Sequence, residues 1–211
     1  MRQDGRRQAP GSSATRVAAA LCCVVILHAC RPPAVEDDAQ RAFWLQLRTV
    51  CGRSFPGTLV QVSGTDTVLA GVPLVLNIWQ CYHREVRLAF HAGEDHSRVW
   101  LLTPTQNGLR LVHSVHEADG SLASFSDYGG ETRAAGTAGR QEFVADETTV
   151  RRVPSSAGTV WILELVPGER LTYGLAGTGE TRFRVDFDLT RSAARPPPPW
   201  GYTRASQPET Q

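Results

Sequence analysis

The chain has 211 residues, a formal net charge of +1 at pH 7 and 41% hydrophobic residues. Residues 1–29 carry a net charge of +3, so residues 30–211 carry about −2. This balance gives no electrostatic support to nucleic-acid binding, and the length suits one domain of ordinary size.

The first 29 residues have the features of an export signal. A basic start with four arginines and one acidic residue, Asp4, precedes an apolar run at 17–27. Eleven residues are too few for a transmembrane helix, which takes about 20. The pattern therefore predicts a removable signal peptide over 1–29 rather than a permanent membrane span.

The end of this segment, Leu27-His28-Ala29-Cys30, resembles the lipobox of bacterial lipoproteins. His28 stands where that family usually has Ala, Ser or Thr, and secretion without a lipid is the alternative. The resemblance implies that Cys30 is acylated and holds the protein on a membrane surface. Because Arg31 rather than Asp follows, it implies the periplasmic face of an outer membrane; without the lipid the protein is periplasmic or secreted.

Two of the five cysteines remain once the leader and Cys30 are set aside, namely Cys51 and Cys81. An oxidising compartment allows them to form a disulfide. Two separate buried thiols are the alternative, since free cysteine packs as a small hydrophobic residue. We expect the disulfide, which would attach the segment around Cys51 to the strand region.

A single helix is predicted after the linker at 30–35. Acidic residues at 36–38 suit a helix N-terminus, and Gly52 suits a helix end. Between them lies an amphipathic stripe, formed by Ala39, Phe43, Leu47 and Val50.

From residue 58 the hydrophobic period changes to two, which is typical of half-buried antiparallel strands. Turn signals such as Asn107-Gly108 and Asp119-Gly120 separate the runs. The predicted strands lie near 58–63, 74–82, 85–91, 98–103, 109–116, 122–128, 140–144, 159–166 and 170–175, with a tenth at 181–189.

These elements predict a mainly β domain over 36–194, with one N-terminal α-helix and an antiparallel meander of about 9–10 strands. The meander closes as a barrel or folds as a curved sandwich, because either arrangement buries one face of many strands and protects their edges. We expect residues 195–211 to form a Pro-rich tail, in which Trp200 can fold back onto the domain and the part beyond Tyr202 is disordered.

Helix, meander and enclosed interior together resemble lipocalin-like barrels in architecture, without the early Gly-x-Trp signature of lipocalins. The segments at 90–98, 128–130 and 182–189 resemble an uncharacterised family of proteobacterial secreted β-proteins; they read FHAGEDHSR, YGG and RFRVDFDL. Neither resemblance brings an activity with it.

The turn after the third predicted strand holds a polar cluster that includes His91, Glu94 and His96. Imidazole and carboxylate groups can ligate a metal or serve as an acid–base pair. The alternative is structural: Asp95 caps a tight turn, and Arg98 pairs with Glu94. We favour this alternative because the spacing matches no compact metal motif.

His113 lies on the same strand face as Leu109 and Leu111, so we expect it inside the barrel. It is either a hydrogen-bonded core residue or a ligand within a cavity. Five aromatic residues of the predicted strands either fill the core or line an apolar cavity. They are Trp79, Trp100, Tyr128, Trp161 and Tyr173.

Together these patterns predict an exported, lipid-anchored envelope protein that binds a small apolar ligand or an envelope protein partner. The alternative is a metal-dependent or acid–base hydrolase that uses His91, Glu94 and His96, with His113 as a further candidate. No cofactor is predicted, because the chain contains no phosphate-binding loop and no dinucleotide fingerprint.

Overall fold

A computed structural model describes residues 38–63, 69–177 and 180–202. The predicted leader, Cys30, the linker and residues 203–211 lie outside the described residues. The elements are helix α1 (Asp38–Arg48), strands β1 (Ser54–Val62), β2 (Leu74–Cys81), β3 (Val86–Ala92), β4 (Asp95–Thr105), β5 (Gly108–Val115), β6 (Tyr128–Thr132) and β7 (Arg140–Ala145), helix α2 (Glu147–Arg152), and strands β8 (Thr159–Val166), β9 (Arg170–Gly177) and β10 (Glu180–Asp188).

The ten strands form a closed antiparallel barrel in which each strand pairs with its neighbours in the chain. Closure occurs between the first and last strands, where Gly57 of β1 lies opposite Phe187 of β10. Closure gives every strand two partners and leaves no sheet edge. The mainly β prediction is confirmed, and the structure selects the barrel over the sandwich.

Alternation along the strands sets the inner wall. Leu88 of β3 lies opposite Trp100 of β4, and Trp100 lies opposite His113 of β5. Since side chains opposite one another across a pair share a face, these three residues all point into the barrel. The apolar side chains that point inward are buried together and form the hydrophobic core.

Helix α1 packs against one end of the barrel. Its apolar stripe, including Phe43 and Leu47, is buried in the same cluster as the inward strand residues. Gln40 donates hydrogen bonds to Thr132 Oγ1 at 2.9 Å and to the Ala134 carbonyl at 3.1 Å, at the far end of β6. The helix therefore occupies the end of the barrel where β2 and β6 finish.

The segment after α1 confirms two predictions. Gly52 follows the helix with a φ of 77°, a conformation that disfavours residues with a Cβ atom. Cys51 and Cys81 form a disulfide, with Cα atoms 6.2 Å apart. The disulfide ties the end of α1 to the end of β2.

The predicted strand at 122–128 is wrong. Residues 122–127 form a loop apart from one isolated bridge at Leu122, and β6 begins only at Tyr128. The loop exposes about half of Leu122 and of Phe125, so these residues do not alternate against a core. Gly129 lies inside β6, where a Cβ atom would come within 1.9 Å of the Leu111 carbonyl oxygen.

We expect Cys51→Ser to destabilise the fold by about 3 to 4 kcal/mol, because the disulfide closes a loop with a sequence separation of 30. The melting temperature should fall by roughly 10 °C. Cys81→Ser and the double variant should match it in a thermal melt without reductant. Wild-type protein in reductant should fall to the same value; melting temperatures that stay equal to the oxidised wild type would contradict the stabilising role.

Candidate functional site

A cavity of about 420 Å³ lies in the barrel, near the end opposite α1. Its wall is formed by residues of β3, β4, β5, β6, β9 and β10, together with Leu69 before β2. The lining residues are Leu69, Phe90, Asp95, Arg98, Trp100, His113, Tyr128, Tyr173, Leu175 and Phe183.

Aromatic rings dominate the deep part of this wall. Trp100 stacks on Tyr173 with ring centroids 4.1 Å apart, and on Phe90 at 5.4 Å. All three side chains are buried. Such surfaces favour apolar and flat ligands, since stacked and edge-on aromatic contacts add to the gain from apolar burial.

The mouth of the cavity carries an ion pair between Asp95 and Arg98. Their side chains keep 36% and 39% of their surface exposed, which places them where the cavity meets solvent. Asp95 Oδ1 also accepts the Ser97 backbone N–H at 2.9 Å. Partial burial raises the pKa of Asp95, but the Ser97 hydrogen bonds and the Arg98 charge outweigh it and hold the pKa below its ordinary value.

A β-bulge explains how two residues three positions apart share one face. Phe90 lies opposite Arg98 and Ala92 opposite Asp95, so two residues of β4 face one residue of β3. In a regular strand, residues three apart point to opposite faces, and a bulge redirects a side chain. Asp95 and Arg98 therefore both line the cavity.

His113 and Tyr173 form a buried hydrogen-bonded pair in the cavity wall. His113 Nδ1 lies 3.3 Å from the Tyr128 carbonyl oxygen, and its Nε2 lies 2.8 Å from the Tyr173 hydroxyl. A carbonyl can only accept, so Nδ1 donates, and neutral Nε2 accepts the Tyr173 proton. Burial lowers the pKa of His113 to about 3 against the opposing effect of the carbonyl, and burial raises the pKa of Tyr173.

His91 and His96 form a second pair on the outer wall. Their Nδ1 atoms are 2.9 Å apart, and His91 alternates with the inward residues Phe90 and Ala92. The Trp200 backbone N–H donates to the His96 carbonyl at 3.0 Å, so the tail segment lies beside this pair. Burial lowers the pKa of His91 to about 4, the nearby His96 adds to this lowering, and Asp95 opposes it.

The four candidates predicted for an enzymatic site do not converge on one point. His91 and His96 meet on the outer wall, whereas His113 lines the cavity inside the barrel. Glu94 is exposed in the turn. The predicted Glu94–Arg98 pair is wrong, because the bulge places Asp95 beside Arg98 instead; Asp95 does cap the turn as expected.

Among the described residues, no group of three or more His, Cys, Asp or Glu side chains is arranged to hold a metal ion. Within the same ranges, no helix has the length and apolar character needed to cross a membrane.

The five strand aromatics expected in the core or in a cavity wall lie on both faces of the barrel. Trp100, Tyr128 and Tyr173 line the cavity, whereas Trp79 points outward, because its neighbour Ile78 points in. Trp79 packs edge-on against Tyr202 of the tail at 5.0 Å. Trp161 lies behind the cavity wall, with its ring 5.0 Å from that of His113.

Sequence reasoning missed Arg98 and Asp95 as cavity residues. A signal for Arg98 was present, since it shares the alternation of Trp100 and Leu102 and is the charged member of that inward set. Asp95 gave no such signal, because strict alternation without the bulge places it on the opposite face from Arg98.

Comparison of the chain with protein-family models, with curated proteins and with solved structures found no match.

The buried histidines predict a pH dependence of stability. Between pH 6 and 4.5 the unfolded chain binds protons at histidines with a pKa near 6.5, whereas folded His113 and His91 have pKa values of about 3 and 4. The free energy of unfolding should therefore fall as the pH drops, by up to about 1.4 kcal/mol per pH unit for each histidine.

Urea unfolding at several pH values measures this slope. His113→Gln keeps a donor and an acceptor but does not titrate, so its slope should be shallower than that of the wild type. His83→Gln in the exposed β2–β3 turn is the matched control, because that side chain is exposed in both states. Equal slopes for His113→Gln and wild type would contradict a buried, neutral His113.

Proposed function

We propose that this chain is an exported, lipid-anchored protein of the cell envelope whose barrel binds a small, largely apolar ligand. The arginine-rich start, the short apolar run and the lipobox-like residues ending at Cys30 support export and anchoring. The disulfide between Cys51 and Cys81 agrees with an oxidising compartment.

The cavity is the observation that carries ligand binding. Its volume of about 420 Å³ lies within the range of about 300 to 1,000 Å³ that is usual for small-molecule sites. Its lining combines buried aromatic rings with a few polar groups at defined positions, which is the composition of such sites. A barrel that acted only through its outer surface would have no need of this open interior.

Binding is favoured over hydrolysis by the placement of the polar groups. A hydrolytic site needs a base, and a nucleophile or metal, close to one reacting atom. Here His91 and His96 lie on the outer wall and Glu94 is exposed, while inside the barrel His113 uses both ring nitrogens in hydrogen bonds. The cavity therefore supports recognition of a ligand rather than chemistry on it.

The cavity should bind the neutral apolar dye N-phenyl-1-naphthylamine, whose fluorescence rises in apolar surroundings. Leu175→Trp places a larger side chain in the cavity wall and should weaken dye binding at least tenfold. Leu45→Trp on α1, where Leu45 is 52% exposed, is the matched control and should bind like wild type. Fluorescence titration measures all three; no saturable binding by wild type, either of this dye or of the aromatic acids tested below, would refute a ligand cavity.

If Cys30 is lipidated, Cys30→Ala should move the protein from the membrane fraction to the soluble fraction of the host cell. Cys23→Ala, inside the leader, is the control and should remain with the membrane. Fractionation and immunoblotting measure the distribution. Membrane association of Cys30→Ala at the wild-type level would remove the lipid anchor from the proposal.

A further inference from the structure

The polar groups of the cavity specify which apolar ligand fits, provided that the proposed ligand-binding function holds. Two pairs of these groups lie at different depths, the buried His113–Tyr173 pair in the aromatic part and the Asp95–Arg98 pair at the mouth; Tyr128 also lines the cavity. Each presents hydrogen-bonding capacity of one kind.

The deep pair offers an acceptor. The Tyr128 carbonyl fixes the proton of His113 on Nδ1, so Nε2 holds the proton of the Tyr173 hydroxyl. The Tyr173 oxygen then has lone pairs but no free proton. A ligand group that reaches this oxygen must donate a hydrogen bond, as a hydroxyl does.

The mouth offers donors and a positive charge. The Arg98 guanidinium donates to Asp95 through Nη1 alone, and its remaining N–H groups have no acceptor in the part of the chain that the structure describes. Asp95 is engaged at both oxygens, by Ser97 and by Arg98. Asp95 thus orients the guanidinium, and a carboxylate matches the N–H groups that remain.

The spacing between the two groups fits a short ligand. Arg98 lies two residues from Trp100 along β4, which corresponds to about 7 Å. His113 lies directly opposite Trp100. Arg98 and His113, which holds the Tyr173 hydroxyl, are therefore diagonal neighbours attached to the inner wall about 7 to 8 Å apart. The rings of Phe90, Trp100 and Tyr173 line the same cavity.

We propose that the ligand is a planar hydroxy acid. Its carboxylate pairs with Arg98 at the mouth, its flat apolar body contacts the aromatic wall, and its hydroxyl at the far end donates to the Tyr173 oxygen. The cavity selects such a molecule over neutral apolar compounds of the same size.

The hydroxy-acid proposal can be tested on the wild-type protein with three probes, 4-hydroxycinnamate, its methyl ester and cinnamate. The ester and cinnamate each differ from 4-hydroxycinnamate in one group. Isothermal titration calorimetry should give the highest affinity for 4-hydroxycinnamate. The ester should bind at least tenfold more weakly because it lacks the charge that pairs with Arg98. Cinnamate should bind about fivefold more weakly because it has no hydroxyl donor.

Variants assign each preference to its residue. Arg98→Gln should abolish the difference in affinity between 4-hydroxycinnamate and its ester. Tyr173→Phe should abolish the difference in affinity between 4-hydroxycinnamate and cinnamate. Two control variants should keep both preferences. Arg110→Gln removes ion pairs with Glu131 and Asp146, and Tyr82→Phe removes a hydroxyl that donates to Gln80; neither residue lines the cavity. Wild-type affinity of each variant for N-phenyl-1-naphthylamine shows that its cavity is folded.

The outcomes separate this inference from the function on which it rests. If the dye binds but 4-hydroxycinnamate does not bind at millimolar concentration, or binds no better than the ester and cinnamate, the hydroxy-acid assignment is overturned and the ligand cavity stands. If neither the dye nor any cinnamate binds, both proposals fail.

Discussion

Pairing of β1 with β10 is the constraint on which the rest of the structure depends. Once the sheet is closed, each inward side chain must share a limited interior with the inward side chains of nine other strands. Helix α1 adds Phe43 and Leu47 to that interior at one end. Helix α2 adds only the partly buried Val150 to the same cluster, and the space left unfilled is the cavity between Phe90, Trp100 and Tyr173.

The β-bulge between β3 and β4 determines which charged side chains reach the mouth of the cavity. The bulge opposite His91 turns Asp95 and Arg98 to the inside and leaves His91 and His96 on the outside. The two pairs come from the same hairpin but serve different surfaces. The inner pair supplies charge to the cavity, and the outer pair packs beside the tail at Trp200.

The sequence predicts those features that depend on local periodicity. Alternation over 183–189 matched β10, and the inward position of His113 followed from an uninterrupted strand. The loop at 122–127 is wrongly predicted as a strand because it contains apolar residues. Leu122 and Phe125 are about half exposed in the structure and do not face the core. Helix α2 went unpredicted: it has only six residues and no apolar stripe, and it begins at a cap in which Asp146 accepts the Thr149 N–H.

Features that depend on the closed sheet lay beyond sequence reasoning. The partner of Arg98 depends on the bulge, and a bulge is a property of two strands in register rather than of one segment. The volume of the cavity depends on how all ten strands and α1 fill the interior. The central claim is that this interior holds a small organic molecule. Native mass spectrometry of the protein purified from its host cells without reductant tests this claim most directly. A small organic adduct on wild type that is absent from Leu175→Trp is the predicted result; the bare protein mass in both, or the same adduct in both, would contradict the account.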